Sequence, residues 1–436
     1  MPILVITGAG IIVLGLLVLA FRSFRHKRII DDMPTSKTQG VFIGLTELKG
    51  TAESDLPLTS FLAAVKCVWY EWHVQEQWSR MVTETYRDAQ GHTQVRTRRE
   101  SGWTTVANGG ESAPFYLKDD TGILQIVPDG ATINGKEILN KTCIPTDRLY
   151  FDKGPPHEIA NSDHRRRFHE TAISLHTQLY VMGQARERKD VVAAEIAKDK
   201  GAPMFIISTR TEKQISRGYY LQFWLWLVLG LLITIGAMIG WSLIGLRGYS
   251  ALSWQPIVIG CVIYLFLLSL GWLWTVYNSL VSLRQRVRQG WSQVDVQLKR
   301  RNDLIPNLVQ IVEGYRTHEA ETQKVITEMR AQMVATPPGV SGPDYKGLLP
   351  TLRATIERYP ELKASDLFLK LQQSLTETEQ RIALARDYYN DISTFYNTRL
   401  EIVPDRFVAS IVRMRPSSLL IATDFERAPV QVKLTE

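Results

Sequence analysis

Cysteine is scarce in this sequence, and the positions of the few cysteines exclude a disulfide framework. Cys67, Cys143 and Cys261 are the 3 cysteines among 436 residues, and they lie far apart. A cysteine-rich zinc site needs closely spaced pairs, which the sequence lacks. Cys261 lies inside an apolar block, away from any base that would activate a nucleophile. We therefore expect no cysteine-based catalysis, and the low content fits a reducing compartment.

Charged residues are absent from two long apolar blocks, 219–246 and 256–277. Each block is long enough to cross a bilayer as a helix. Tryptophan and tyrosine cluster near the block ends, as in membrane-spanning helices. Two helices buried in a soluble core are the alternative, which uncharged runs of this length disfavour. A third apolar run, 3–21, is just long enough to span.

Positive charge is missing before the first apolar run and follows it instead, at Arg22, Arg25, Lys27 and Arg28. A cleaved signal peptide carries its positive charge before the apolar stretch. The order in this sequence favours a retained transmembrane anchor, residues 1–25, over a signal peptide.

Lysine and arginine concentrate on one side of the three predicted spans. They follow the first span, precede the second and follow the third, whereas the loop between the second and third has only Arg247. This bias predicts that the amino terminus and that loop face outside and that both large soluble parts face the cytoplasm. Topology and attraction to lipid headgroups then account for the net charge of +7. No nucleic-acid-binding motif accompanies it, so we predict no nucleic-acid partner.

Residues 38–215 have a different sequence pattern, in which short β-prone runs are separated by turn signals. The turn signals include the sequences NGGE at 108–111 and PDG at 128–130. A charged amphipathic stretch, 187–199, predicts one helical insert. These features predict a small β-rich α+β domain.

Three stretches of this region resemble the GIDE domain, which is found beside the RING finger of MULAN-type ubiquitin ligases. They are GLTELKGTAES at 44–54, PFYLKDDTGILQIVPDGA at 114–131 and HETAISLHTQLYVMGQA at 169–185. The resemblance implies a hairpin whose turn uses Asp120 and Gly122. A RING needs eight paired cysteine and histidine ligands, which this chain lacks, so ligase activity does not carry over. We expect a cytoplasmic binding or spacing domain that contacts lipid headgroups or an unidentified protein.

Four histidines crowd one stretch of this region, His157, His164, His169 and His176. Metal ligands are usually paired more tightly, with a carboxylate or thiol companion, and neither His-Glu pair of the chain extends to H-E-x-x-H. We therefore predict neither a metal site nor another cofactor.

Heptad periodicity dominates residues 278–436. Apolar positions alternate in steps of three and four, which is typical of helices packed side by side. One seam comprises Leu280, Val287, Val294, Arg301, Leu308, Tyr315, Thr322 and Met329, and a second heptad stretch covers 368–399. The breaker TPPGVSGPD separates the two, and a final helix is expected at about 406–414. The pattern predicts an antiparallel α-helical bundle whose first helix continues from the third span through a kink at Pro306 to about residue 335.

Residues 277–436 resemble the LemA family along nearly their whole length. The stretch 277–319 resembles the first long helix of the family, 359–404 its partner helix, and FERAPVQVKL at 425–434 its end. Gly290 is a departure, since alanine is usual there. The resemblance implies a helical bundle attached to the bacterial inner membrane, without established catalytic activity.

Charged residues of the predicted bundle allow two interpretations. The first makes Asp295, Arg301, Asp303 and Glu379 a buried acid–base or ion-handling site. The second pairs them across helices, because Arg301 lies on the heptad seam, where one polar residue fixes register. We favour the second. The residues that we assign to register and self-association are Trp291, Asp295, Arg301, Asp303, Pro306, Glu379, Arg386, Asn390 and Asn397.

The sequence as a whole predicts a multi-domain membrane protein with three transmembrane helices, a GIDE-like β-rich domain and an all-α LemA-like bundle. We expect a non-enzymatic, homo-oligomeric scaffold or adaptor at the cytoplasmic membrane surface. A non-catalytic subunit of a membrane enzyme or quality-control complex is the alternative. A transport or sensing role is disfavoured, because the predicted spans lack ionisable residues.

Overall fold

The computed structural model describes residues 2–87, 93–188, 194–199, 201–245, 254–314 and 366–420. The chain divides into two compact units. The first unit comprises Met1–Pro34 and Lys213–Glu436, and the second comprises Thr35–Glu212.

Helices make up the described part of the first unit. They are α1 (Pro2–Asp31), α3 (Glu212–Gly245), α4 (Trp254–Gly314), α5 (Asp366–Glu401) and α6 (Asp405–Ile411), and the short α2 (Leu149–Asp152) belongs to the second unit. Three segments are long and apolar enough to cross a membrane, namely Thr7–Asp31, Glu212–Trp241 and Trp254–Arg301. The predicted apolar helices are therefore present.

The three apolar helices pack against one another through a small core. Val13 and Leu17 of α1 cluster with Leu227 of α3 and Tyr264 of α4. The Tyr264 hydroxyl donates a hydrogen bond of 2.8 Å to the Leu227 carbonyl oxygen, which is a buried contact. In an apolar setting this bond satisfies a phenol that would otherwise be costly to bury.

The second unit is β-rich, as the sequence predicts. Its strands are β1 (Thr35–Ser36), β2 (Gly44–Glu53), β3 (Leu58–Thr59), β4 (Lys66–Arg87), β5 (Thr93–Ser112), β6 (Phe115–Lys118), β7 (Ile123–Ile126), β8 (Thr132–Asn134), β9 (Lys136–Cys143), β10 (Ser162–Ser174), β11 (Gln178–Glu187), β12 (Ala194–Ala197) and β13 (Ile206–Ser208). Strands β2, β6, β7, β12 and β11 pair in a closed cycle, with β1, β13 and β8 attached. Apolar side chains such as Leu48, Leu117, Ile126 and Val181 fill its core.

A second sheet contains β3, β4, β10, β9 and β5. Arg166 of β10 is fully buried in it, and its Nε donates to Glu76 Oε2 at 2.9 Å. The guanidinium also donates to the carbonyl oxygens of Tyr150, Pro155 and His157. Arg166 therefore fixes the connection between β9 and β10, because a buried guanidinium needs its donors satisfied.

Three local expectations for this unit are wrong. The stretch expected to form a helical insert ends in β12, whose residues Ala194–Ala197 pair with β11. The NGGE sequence lies inside β5, where glycines provide space: a Cβ on Gly109 would lie 2.9 Å from the Trp72 ring. In the turn between β6 and β7, the backbone N–H groups of Thr121 and Gly122 donate to Asp119 and not to Asp120.

Helices α4 and α5 run antiparallel, because residues that come later in α4 contact residues that come earlier in α5. Trp291 packs on Tyr389 and Arg301 faces Glu379. The seam residues Leu280, Val287, Val294 and Arg301 of α4 are buried, as are Leu375, Thr378, Ile382, Ala385, Tyr389, Ile392 and Tyr396 of α5. The heptad pattern therefore gave the packed faces correctly.

Helix α4 continues without interruption from the apolar segment past Pro306 to Gly314. The third apolar segment and the heptad stretch that follows it therefore form one continuous helix to that point, as predicted. The kink at Pro306 stays a prediction, and the expected helical stretches within 315–365 lie outside the described residues. The final helix begins at Asp405 and ends at Ile411, slightly earlier than expected.

Replacing Gly290 by alanine should stabilise the α4–α5 contact. A Cβ there would lie 3.6 Å from Ile392 and Tyr388, which is ordinary van der Waals contact. Removing a mid-helix glycine should add roughly 0.5–1 kcal/mol to the free energy of unfolding. Thermal unfolding of the detergent-solubilised chain should therefore occur at a higher temperature.

The matched control is Gly271→Ala in the same helix. Its Cβ would overlap the ring of Phe21 from α1, so the variant should unfold more easily. If both variants shifted the unfolding temperature in the same direction, the difference between the two glycine environments would be contradicted.

Candidate functional site

Polar side chains from five helices meet where α1 ends. We call this group, Arg28, Asp31, Asp32, Ser216, Ser279, Arg399 and Asp405, the helix-end cluster. It lies within the first unit and joins the three apolar helices to α5 and α6. The sequence places it there because α1, α3 and α4 change from apolar to polar composition at this level.

Arg28 is the centre of the helix-end cluster. Its Nη1 and Nη2 donate to Asp405 Oδ1 at 3.1 Å and to Oδ2 at 2.6 Å. Its Nε donates to Ser279 Oγ at 2.9 Å. The Arg28 and Asp405 side chains are 5% and 4% exposed. The fork of a guanidinium on a carboxylate thus ties the end of α1 to α4 and to the first residue of α6.

Asp32 and Arg399 form a second ion pair beside the first. Arg399 Nε and Nη2 each lie 2.7 Å from Asp32 Oδ1, and Arg399 Nη1 lies 3.8 Å from Asp405 Oδ2. Asp32 Oδ2 is buried without a hydrogen-bond partner among the described residues. Burial raises the pKa of the Asp32 carboxyl above its ordinary value, although the charges of Arg399 and Arg28 act in the opposite direction.

Helix α3 joins the same cluster through one contact. The Ser216 hydroxyl donates to Asp31 Oδ1, and Asp31 also pairs with Lys27 one turn earlier in α1. The cluster therefore holds the end of α1, the start of α3 and the middle of α4 at one level. Each basic group of the cluster pairs with a carboxylate, and the Ser279 and Ser216 hydroxyls are hydrogen-bonded to Arg28 and Asp31.

The segment that follows α6 is held by two asparagines of α5. Asn397 donates through Nδ2 to the Ser417 carbonyl oxygen and accepts from the Ser417 N–H, both at 2.8 Å. Asn390 makes the same pair of bonds with Leu420, at 3.0 and 2.8 Å. The Tyr389 hydroxyl donates to the Ser418 carbonyl oxygen at 2.8 Å. We call this arrangement the asparagine clasp.

Two predicted register residues face one another across α4 and α5. Arg301 is 3% exposed, and its Nη1 lies 3.6 Å from Glu379 Oε1. Trp291 packs edge-to-face on Tyr389, with ring centroids 5.5 Å apart. These contacts fit interhelical pairing, and a role in register remains a prediction.

Other predicted site residues lie elsewhere. Asp295 and Asp303 are exposed on α4, away from the buried seam. Pro306 lies inside α4 and Arg386 is half-buried on α5. Asn390 and Asn397, which the sequence analysis assigns to register and self-association, bind the segment after α6. The proposed group of Asp295, Arg301, Asp303 and Glu379 is therefore not assembled as one buried site.

The histidines of the second unit are spread over separate partners. His164, His169 and His176 pair with Glu158, Glu137 and Glu53 in that order. Among the residues that the structure describes, no group of three or more histidine, cysteine or carboxylate side chains is placed to hold a metal ion.

The two cysteines of the second unit are buried and free. Burial raises the pKa of the Cys67 thiol and of the Cys143 thiol to about 11. At neutral pH both are therefore protonated and poor nucleophiles.

The sequence alone does not predict the helix-end cluster. The sequence assigns Arg28 only to membrane topology, places Arg399 on the second heptad stretch, and gives Asp32 and Asp405 no role. The sequence shows charged residues at the ends of α1 and α5 and at the start of α6. It does not show which of these residues form ion pairs with one another.

Comparison with known proteins places two domains in this chain. A family model for LemA matches residues 290–434, and the GIDE model, described as an E3 ubiquitin ligase, matches residues 83–240. The chain carries a LemA domain and a GIDE domain. The LemA domain thus includes α4 from residue 290 onward and the asparagine clasp, and the GIDE domain extends from the β4–β5 hairpin into α3.

Curated relatives agree with the LemA match at low identity. Protein LemA of Metamycoplasma hominis is 25% identical over 177 residues, which cover 38% of this chain and 81% of that protein. Magnetosome proteins MamQ 1 and MamQ 2 of Paramagnetospirillum magneticum are each 24% identical over 167 residues, 31% of this chain. The chain spans 61% of the length of each MamQ protein.

Removing either partner of the central ion pair should loosen α6. Arg28→Met or Asp405→Leu leaves the other charge buried and unpaired, which costs about 3–5 kcal/mol. The double variant should cost less than the sum of the two. The exchange rates of the α6 amide hydrogens, with the full chain in nanodiscs, measure the cost of each single variant and of the double variant.

Arg25→Met is the control for this cycle, because Arg25 is exposed in the same helix. It should leave α6 exchange unchanged. Strictly additive effects of Arg28→Met and Asp405→Leu would show that the two side chains do not act as a pair.

Replacing Asn390 by alanine should release the backbone of Leu420. Two hydrogen bonds are lost, each worth about 0.5–1.5 kcal/mol, so the Leu420 amide should exchange about tenfold faster or more. Gln373→Ala is the control, since this exposed amide of α5 donates a hydrogen bond to Glu377 of the same helix and not to the segment after α6. Unchanged exchange at Leu420 in Asn390→Ala would rule out the clasp in solution.

Proposed function

We propose that this protein is a non-enzymatic, multi-pass scaffold or adaptor of a bacterial cytoplasmic membrane. The LemA domain would assemble copies of the chain, and the GIDE domain would contact lipid headgroups or a protein partner. The observation that carries the proposal is helix α4. It runs unbroken from an apolar segment into the LemA domain, so that a membrane anchor and a packing surface form one rigid element.

The outer faces of α1, α3 and α4 support membrane crossing. Leu225 and Leu232 of α3 are 59% and 60% exposed, and Phe266 of α4 is 62% exposed. Water would make so much exposed apolar surface unfavourable, whereas lipid tails would not. The exposed residues therefore suit a hydrocarbon surrounding.

The helix-end cluster supports the proposed topology. It gathers the carboxyl end of α1, the amino end of α3 and the polar continuation of α4 at one level. If the three helices cross a membrane, the chain then leaves α1, enters α3 and leaves the apolar part of α4 at the same face. The excess of arginine and lysine at that level makes it the cytoplasmic face.

The relatives support a non-catalytic interpretation without defining a partner. The names of the LemA and MamQ relatives state no reaction, whereas the GIDE model is described as an E3 ubiquitin ligase. This chain has 3 cysteines, too few with its histidine spacing for the paired zinc ligands of a RING. The GIDE domain would therefore act by binding.

Self-association would depend on the packing of α4 against α5, which the pair of Arg301 with Glu379 would keep in register. A buried guanidinium fixes register, because shifting the helices would leave it unpaired. Continuous rigid attachment to the membrane also concentrates copies in two dimensions, which favours assembly.

Replacing Arg301 by glutamate should disturb helix register and the oligomer together. Two carboxylates would then face one another at a buried position, at a cost of roughly 3–5 kcal/mol. Particle mass and thermal unfolding of the detergent-extracted chain measure the effect. The charge exchange Arg301→Glu with Glu379→Arg should recover much of the loss.

Arg300→Glu is the matched control, because Arg300 is exposed one residue away. Wild-type particle mass and unfolding temperature in Arg301→Glu would contradict the proposed role. A monomeric wild-type chain that co-purified with a catalytic protein would favour the alternative of a non-catalytic subunit.

A further inference from the structure

The outer surface around α6 is apolar where a soluble helix would be polar. Asp405, Val408 and Ala409 face inward, at the spacing of one helical face. On the opposite face Phe407 is 62% exposed and Ile411, one turn later, is 79% exposed. Val403, just before the helix, is 63% exposed. Large apolar side chains grouped in this way mark a contact surface.

Helix α6 lies beside the end of the apolar part of α4. Val408 and Ala409 form one buried cluster with Val276 and Leu280, and Trp272 packs against the same cluster. Trp272 and Val276 belong to the uncharged run 256–277. The apolar face of α6 is therefore at the depth where the predicted span ends, which is also the depth of the helix-end cluster.

The charges around this face suit a lipid surface. Arg406, Arg413 and Arg415 are exposed, while Asp405 is buried against Arg28. Glu401 is the exposed acidic residue that precedes them. An apolar face bordered by arginines is typical of elements that lie in the membrane interface, with side chains among the acyl chains and basic groups at the headgroups.

We propose that residues 402–412, with α6 at their centre, insert their apolar side chains into the cytoplasmic surface of the lipid bilayer. The LemA domain then has two membrane attachments, the continuous helix α4 and this interfacial element. The Arg28–Asp405 pair holds the element at its depth. The inference rests on the proposed membrane crossing of α1, α3 and α4.

Single nitroxide labels on the full chain in nanodiscs test the insertion. The native cysteines are first removed by Cys67→Ala, Cys143→Ala and Cys261→Ala, and labels are then attached through Phe407→Cys and Ile411→Cys. Collision with oxygen, which concentrates in hydrocarbon, is compared with collision with a water-soluble nickel chelate. Labels at Phe266→Cys and Leu225→Cys give the lipid standard, and Ala383→Cys, exposed on α5, gives the aqueous standard.

The expected result is an oxygen-to-chelate ratio at both α6 positions near that of the lipid standards. A ratio equal to that of Ala383→Cys, with lipid-like standards, overturns the insertion and leaves the membrane crossing intact. Protection from both reagents also overturns it, since a protein or a second copy would then cover the face. Aqueous ratios at both Phe266→Cys and Leu225→Cys overturn the membrane crossing itself, and the insertion with it.

Discussion

The buried pair of Arg28 and Asp405 is the contact on which the first unit depends. Both side chains are almost fully buried, so neither charge can be left without its partner. Their positions are 377 residues apart in sequence, and the pair therefore joins the first helix, α1, to the last helix of the described residues, α6. Ser279, near the middle of α4, accepts a hydrogen bond from the same Arg28 side chain. The second pair, Asp32 with Arg399, makes the closure a network.

This closure gives the long helix α4 a defined place. If α4 crosses a bilayer as proposed, this helix of 61 residues would be free to pivot at its exit point without further contacts. The helix-end cluster fixes it to α1 and α3 on one side and to α5 and α6 on the other. The seam with α5 continues the support as far as Arg301, where a guanidinium again meets a carboxylate. Both levels use arginine, whose fork can satisfy several acceptors at once.

Periodic features of the structure could be predicted from the sequence, whereas single long-range contacts could not. The apolar runs give α1, α3 and α4, and the heptad positions give the buried faces of α4 and α5, because burial repeats at fixed spacing. Asp405 carries no such repeat, and its partner lies in another helix. Within the GIDE domain, Gly109 and Gly110 read as a turn because glycine serves both turns and crowded strands. The neighbouring strand decides between them, because a Cβ on Gly109 would meet the Trp72 ring and one on Gly110 would meet the Tyr70 carbonyl oxygen.

The asparagine clasp positions the segment that follows α6, although the sequence of that segment has no periodic pattern. Asn390 and Asn397 are seven residues apart, so they lie on the same helix face about 10 Å apart. Ser417 and Leu420 are three residues apart, and an extended chain covers about 10 Å in three residues. The two spacings match, and each amide side chain satisfies one N–H and one carbonyl. These bonds involve only backbone groups of Ser417 and Leu420. They therefore place the segment after α6 along α5 whatever side chains that segment carries. The geometry of α5 therefore specifies the path of the chain after α6, and α6 itself is held between that path and the Arg28–Asp405 pair.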